Sequence, residues 1–82
     1  MSIDSIEQKV IDILNGITGA QPGEIDPDLA LFDEGLLDSF ATIQMVLALE
    51  AGFGLHLEIS EFSREQMATP AQIARTIGGM LS

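Results

Sequence analysis

The 82-residue chain carries 13 acidic side chains against three basic ones, Lys9, Arg64 and Arg75, for a formal net charge of −10; it is 46% hydrophobic and contains no cysteine. That length supports one domain over residues 1–82, which buries only about 60–65% of the surface of its unfolded chain and leaves little room for an enclosed catalytic cavity. Disulfides, thiolate nucleophiles and cysteine metal sites are excluded, nucleic acid is a poor partner without clustered Lys and Arg, and no apolar run approaches the roughly 20 residues of a membrane span. Between Lys9 and Arg64 there is no basic side chain. The middle of the molecule is therefore expected to present a continuous negative potential that speeds encounter with basic partners, although acidity also serves solubility alone. Met1-Ser2-Ile3-Asp4 has no secretory pattern, and the expected location is the cytoplasm.

The first element places Ile3, Ile6, Val10, Ile13, Leu14 and Ile17 at helical spacing, with Asp4 and Glu7 near its start and Gly16 and Gly19 near its end. From Gly19 to Asp38 the periodicity stops at Pro22, Gly23 and Pro27. A connection this long needs its apolar residues, Ile25, Leu29, Leu31, Phe32, Leu36 and Leu37, pinned to the core, and Asp28 is a candidate cap for a short turn through Leu29 and Phe32. A second helix is predicted over Ser39 to Ala51, N-capped by Asp38, with Phe40, Ile43, Val46 or Leu47, and Glu50 on successive turns and Gly52 placed to end it. Leu55-His56-Leu57-Glu58-Ile59 alternates like a strand, but with no second strand to pair it is expected to be extended loop. Capping boxes at Ser63/Gln66 and at Thr69/Gln72, the latter followed by Pro70, start a short helix within Ser60–Met67 and a last helix that buries Ile73, Ile77, Met80 and Leu81. Met45, Met67 and Met80 are expected as core filler, one of them able to line a cavity for a carried group.

The segment that carries chemistry is Asp33-Glu34-Gly35-Leu36-Leu37-Asp38-Ser39-Phe40. A loop here delivers a serine to the first turn of a helix. Asp38 caps that turn, and Ser39 is left exposed without an activating base, a poor nucleophile by itself but a good substrate for an enzyme that brings one. A phosphate on Ser39 would meet the positive end of the helix dipole, worth about 0.3–1 kcal/mol when exposed. Asp38 opposes that attraction and can help recruit a metal or basic group of a modifying enzyme.

Phe32-Asp33-Glu34-Gly35-Leu36-Leu37-Asp38-Ser39-Phe40, followed by Leu47-Ala48-Leu49-Glu50, closely resembles the acyl carrier protein family. Within it, Leu-Leu-Asp-Ser-Phe, together with Ile59-Ser60-Glu61-Phe62-Ser63-Arg64 and Thr69-Pro70, is most similar to the D-alanyl carrier proteins. The resemblance covers nearly the whole chain and implies an all-α four-helix bundle with three main helices, one short helix and a long first loop. It also implies 4'-phosphopantetheine attached to Ser39 by a phosphopantetheinyl transferase that takes it from coenzyme A, with Mg²⁺ serving only that transferase and Asp38 helping recognition. Cargo would then ride as a thioester on the arm's sulfur, loaded by an acyl or aminoacyl ligase and passed to a downstream acyltransferase or synthase. The carrier itself would be a monomer, without catalytic residues or a resident metal. Helix Ser39 to Ala51 would be the docking surface, with Glu34, Phe40, Gln44, Leu47, Glu50 and Glu61 as contacts. Two positions depart from the pattern: Gln44 stands where family members often carry glutamate, and Ala41 where D-alanyl carriers tend to have glycine. Cargo and partner are therefore left open between D-alanine, another amino acid and an acyl chain.

Other chemistries fit less well. His56 is the only histidine, but no Gly-x-Ser-x-Gly elbow surrounds Ser39 and the chain is too small to bury a triad; the alternation points His56 outward beside Glu58. The acidic run from Asp26 to Glu34 fails as a calcium loop because Ala30 and Leu31 replace the required ligand and glycine. An unmodified acidic adaptor that docks on a basic partner is the remaining alternative.

Overall fold

The computed structural model describes residues 2–21, 23–58, 60 and 62–81. Three α-helices, α1 (Ile3–Thr18), α2 (Ser39–Phe53) and α3 (Pro70–Leu81), surround one apolar core, and between α2 and α3 the described residues include a 3₁₀ turn, Glu65–Met67, in place of the expected short helix. No strand occurs among the described residues, so Leu55–Glu58 is connecting chain, as expected without a pairing partner. Ile59 lies outside the described residues.

α1 begins where the Ser2 hydroxyl accepts the Ser5 N–H at 3.2 Å and ends at Gly19, which takes the left-handed conformation (φ 75°). Its apolar stripe packs against both α2 and α3, burying Ile6, Val10 and Leu14, together with Ile11, outside the predicted stripe. Ile3 stays 47% exposed at the free end. α3 starts at Pro70 after Thr69 Oγ1 accepts the Gln72 N–H at 3.1 Å, and it buries Ile73, Ala74 and Ile77. The expectation that Met80 and Leu81 are buried fails: both are 40% exposed, because Ile3 and Ile6 of α1 approach the last turn of α3 at Gly78 and leave these two outside, and Met80 is accordingly not core filler. Met45 and Met67 are buried as expected.

α2 runs two residues beyond the predicted end. Gly52 does not terminate it. A Cβ at Gly52 would lie 3.1 Å from Cδ1 of Ile13, so this glycine serves the close approach of α1. The left-handed residue that stops the helix is Gly54 (φ 66°), whose N–H reaches the Glu50 carbonyl, the usual reason for glycine after a helix C-terminus.

The long connection is held by its own apolar side chains: Ile25, Leu31 and Leu37 are at most 3% exposed, each burial worth about 2 kcal/mol. Its backbone is tied to the far side of the bundle by Leu31 N–H to the Ala68 carbonyl (2.9 Å) and Ala71 N–H to the Pro27 carbonyl (2.9 Å). The turn before Leu29 is made by Asp26, not Asp28. Asp26 Oδ1 accepts the Asp28 N–H at 2.9 Å and its carbonyl accepts Leu29 N–H, the Asx-type arrangement in which the acidic residue precedes the turned backbone by two positions.

Replacing Gly54 with Ala should cost about 1–2 kcal/mol, because the left-handed conformation strains a side chain. Gly16→Ala, in α1 with open space around the new Cβ, should gain up to about 1 kcal/mol. Urea denaturation of the two variants checks this; shifts of the same sign would contradict the assignment of Gly54 as the stop.

Candidate functional site: the start of α2

The polypeptide enters α2 through three consecutive residues in three environments. Leu37 is buried at 3% exposure and anchors the loop, Asp38 caps the helix, and Ser39 is exposed in the first turn. Asp38 has extended backbone (φ −125°, ψ −172°), and its Oδ1 accepts the Ala41 N–H at 2.8 Å. Its carbonyl accepts both the Thr42 N–H (2.9 Å) and the Thr42 hydroxyl (2.6 Å). Thr42 is the one buried polar residue among the described core positions, and this bond satisfies it. The serine is thereby carried on rigid backbone while its own side chain faces outward.

Beside Ser39 opens a groove of ≈ 550 Å³, lined by Phe32, Phe62 and Met67 together with Asp38 and Arg64. That volume lies in the range of about 300–1,000 Å³ that holds ligands of drug size. By contrast, the apolar cavity between α2 and α3, bordered by Met45, Leu49, Met67 and Ile77, measures only ≈ 10 Å³, about the space one water needs. The core is shut, and a group attached to Ser39 has room outside it.

The Phe40, Ile43 and Leu47 side chains are 70%, 51% and 60% exposed. At positions i, i+3 and i+7 they share one face of α2, an outward apolar stripe beside exposed Gln44. The sequence reading used these residues to mark the helix turns; the core-facing set is instead Thr42, Met45, Val46 and Leu49. Ile43 was missed as a surface contact, though its spacing from Phe40 and Leu47 carried the signal. Glu34 is exposed in the turn that precedes Gly35. Glu50 lies at the other end of α2, about 16 Å from Ser39 along the helix, and its carboxylate accepts the Leu57 N–H at 3.1 Å. Glu61 lies outside the described residues.

His56 has its Nε2 2.7 Å from Glu58 and its Nδ1 3.4 Å from Glu50. It therefore sits at the end of α2 remote from Ser39, which rules it out as that serine's base. The described residues form no group of His, Asp or Glu able to hold a metal ion, and no described helix is long and apolar enough to cross a membrane.

The phosphopantetheine attachment-site family matches residues 8–77, a span that includes the whole of α2. The chain belongs to this family. It is 40% identical over 73 residues to the D-alanyl carrier protein of Enterococcus faecalis, covering 89% of this chain and 94% of that one. Similarity to the D-alanyl carrier protein of Lacticaseibacillus casei is 42% identity over the same length, covering 89% and 90%. D-alanyl carrier protein 2 of Lactiplantibacillus plantarum is 35% identical over 80 residues, covering 98% and 99%. The chain is a phosphopantetheine-dependent carrier of acyl-carrier-protein fold, and the match disfavours the unmodified adaptor. The residues at the start of α2 fit the arm: an exposed hydroxyl, a helix start that favours phosphate, and an adjacent groove. When bound, the arm supplies the thiol that this cysteine-free chain lacks.

Asp38→Ala should cost about 1 kcal/mol of stability and Asp38→Asn much less, since both Asp and Asn cap well. Equal losses in urea denaturation would show that charge rather than capping is what Asp38 contributes.

Proposed function

We propose that Ser39 is the attachment residue and that the chain carries D-alanine, or another small aminoacyl group, between a ligase that loads it and an acyltransferase that receives it. The observation that supports this most is the exposed Ser39 hydroxyl on a fixed helix start beside an open groove, in a chain whose relatives are D-alanyl carriers. A cavity of only ≈ 10 Å³ between α2 and α3 agrees with a short polar cargo, because a long acyl chain would have to force the core apart.

In the transfer from coenzyme A, the Ser39 oxygen bonds to the pantetheine-bearing phosphorus. The pyrophosphate bond breaks and adenosine 3',5'-bisphosphate departs. The hydroxyl proton goes to a base of the phosphopantetheinyl transferase, because this chain places none beside Ser39, and Mg²⁺ belongs to that enzyme. Asp38 orients the turn that the transferase reads. Partners dock on α2: Phe40, Ile43 and Leu47 supply apolar contact, Gln44 supplies hydrogen bonding, and Glu34 and Glu61 supply negative charge toward a basic surface. Glu50 acts there chiefly by closing the helix end onto Leu57. The chain works as one monomeric domain in the cytoplasm.

The test is loading of the holo protein by a D-alanine-activating ligase across a salt series. Thioester formation should require Ser39, vanish in Ser39→Ala although that variant folds, and slow as salt screens the docking charges beyond about 8–10 Å. D-Alanyl transfer to Ser39→Ala would overturn the attachment site, and a rate indifferent to salt would overturn electrostatic docking.

A further inference from the structure

We propose that Arg64 is the counter-ion of the phosphodiester on Ser39 and that it holds the root of the arm in the groove between Phe32 and Phe62. The proposal rests on the reading of Ser39 as the attachment residue and concerns what that attachment requires of the rest of the chain.

A phosphodiester on Ser39 brings one more negative charge to a molecule of net charge −10, next to the exposed Asp38. The helix dipole favours it, but the capping carboxylate opposes it at close range. Of the three basic residues, only Arg64 borders the groove beside Ser39. Lys9 lies over the Phe53 ring, 4.8 Å from its centroid, at the opposite end of α2 and about 20 Å from Ser39 along the helix. Arg75 is on α3 and does not border the groove. Along the sequence, 24 positions separate Arg64 from Ser39; the fold sets both on the same groove.

Arg64 is also held ready. Its guanidinium carbon lies 4.4 Å from the centroid of Phe32, and Phe32 is half-buried in the loop that packs on the core. A cation over a ring face does not use up the guanidinium N–H donors, which remain for the two free phosphate oxygens. Among the described residues, no carboxylate comes within 4 Å of this guanidinium. Asp33 and Glu65 border a second, smaller hollow on which Arg64 also lies, yet neither closes an ion pair with it. In a protein with 13 acidic residues, an arginine stacked on a ring at the groove and left unpaired by these neighbours is placed for an anion not yet attached.

Holo protein, confirmed by intact mass to carry one arm on Ser39, is compared with holo Arg64→Gln and Arg64→Lys by NMR. In the wild type, loading should move the Arg64 Nε–H resonance, and the arm's methyl groups should show contacts with the Phe32 or Phe62 ring. Arg64→Gln should shift the ³¹P resonance and lose those contacts, and Arg64→Lys should keep part of both effects. Apo spectra of the variants report the fold independently. An Arg64 Nε–H resonance indifferent to loading in the wild type, or ³¹P shifts and ring contacts identical in wild type and Arg64→Gln, would overturn the proposal. Failure to gain the arm's mass would instead overturn the Ser39 reading and the proposal with it.

Discussion

Asp38 holds the start of α2 with both its ends. The carboxylate takes the Ala41 N–H, one of the donors with no partner inside the helix, and the backbone carbonyl takes the hydroxyl of Thr42 as well as its N–H, the first bond of the helix itself. This cap works because Leu37, one residue earlier, is sunk in the core. A buried anchor, a cap and an exposed hydroxyl in succession convert a twenty-residue irregular connection into a precise presenting device for Ser39. The loop's length is tolerable only because Ile25 and Leu31 pin it, and its two backbone bonds to Ala68 and Ala71 tie it to the α3 side of the bundle.

Charge and volume then divide the labour of the surface. The cavity between α2 and α3 is about water-sized, whereas the groove beside Ser39 is open. A group attached to Ser39, as proposed, would have its room outside the core. Exposing Phe40, Ile43 and Leu47 costs the isolated protein some of the burial that α2 offers, and three apolar side chains in a row on a helix face are an interaction surface rather than scattered exposure. In the proposed role, the acidic remainder would bring basic partners to that face from a distance, and the apolar stripe would give them something to bury on arrival.

Much of this was legible in the sequence, because local signals coincide with the functional ones. Periodicity marked α1, α2 and α3; Asp38, Ser63 and Thr69 announced their turns; Ser63 and Gln66 do exchange reciprocal bonds at 3.2 and 2.9 Å. What failed depended on neighbours distant in sequence. Gly52 looked like a helix stop and is instead the place where Ile13 crosses α2. The core face of α2 was left open between Val46 and Leu47, because a helix with apolar residues on two sides does not say which one the bundle covers; Val46 is buried and Leu47 is exposed. Met80 and Leu81 have the spacing of buried residues, but α1 meets the last turn of α3 at Gly78 and leaves those two side chains 40% exposed. The return of Arg64 to the Ser39 groove was invisible for the same reason: reading along the chain gave a middle without cations, and folding put one there.

The central claim is that the fold singles out Ser39, alone among the six serines, as the point of attachment. The most direct measurement is peptide mapping by tandem mass spectrometry of the protein after treatment with coenzyme A, Mg²⁺ and a phosphopantetheinyl transferase. The account predicts a single modified peptide with the arm's mass on Ser39 and none on Ser2, Ser5, Ser60, Ser63 or Ser82. Modification at any of those residues, or a folded protein that accepts no arm, would contradict it.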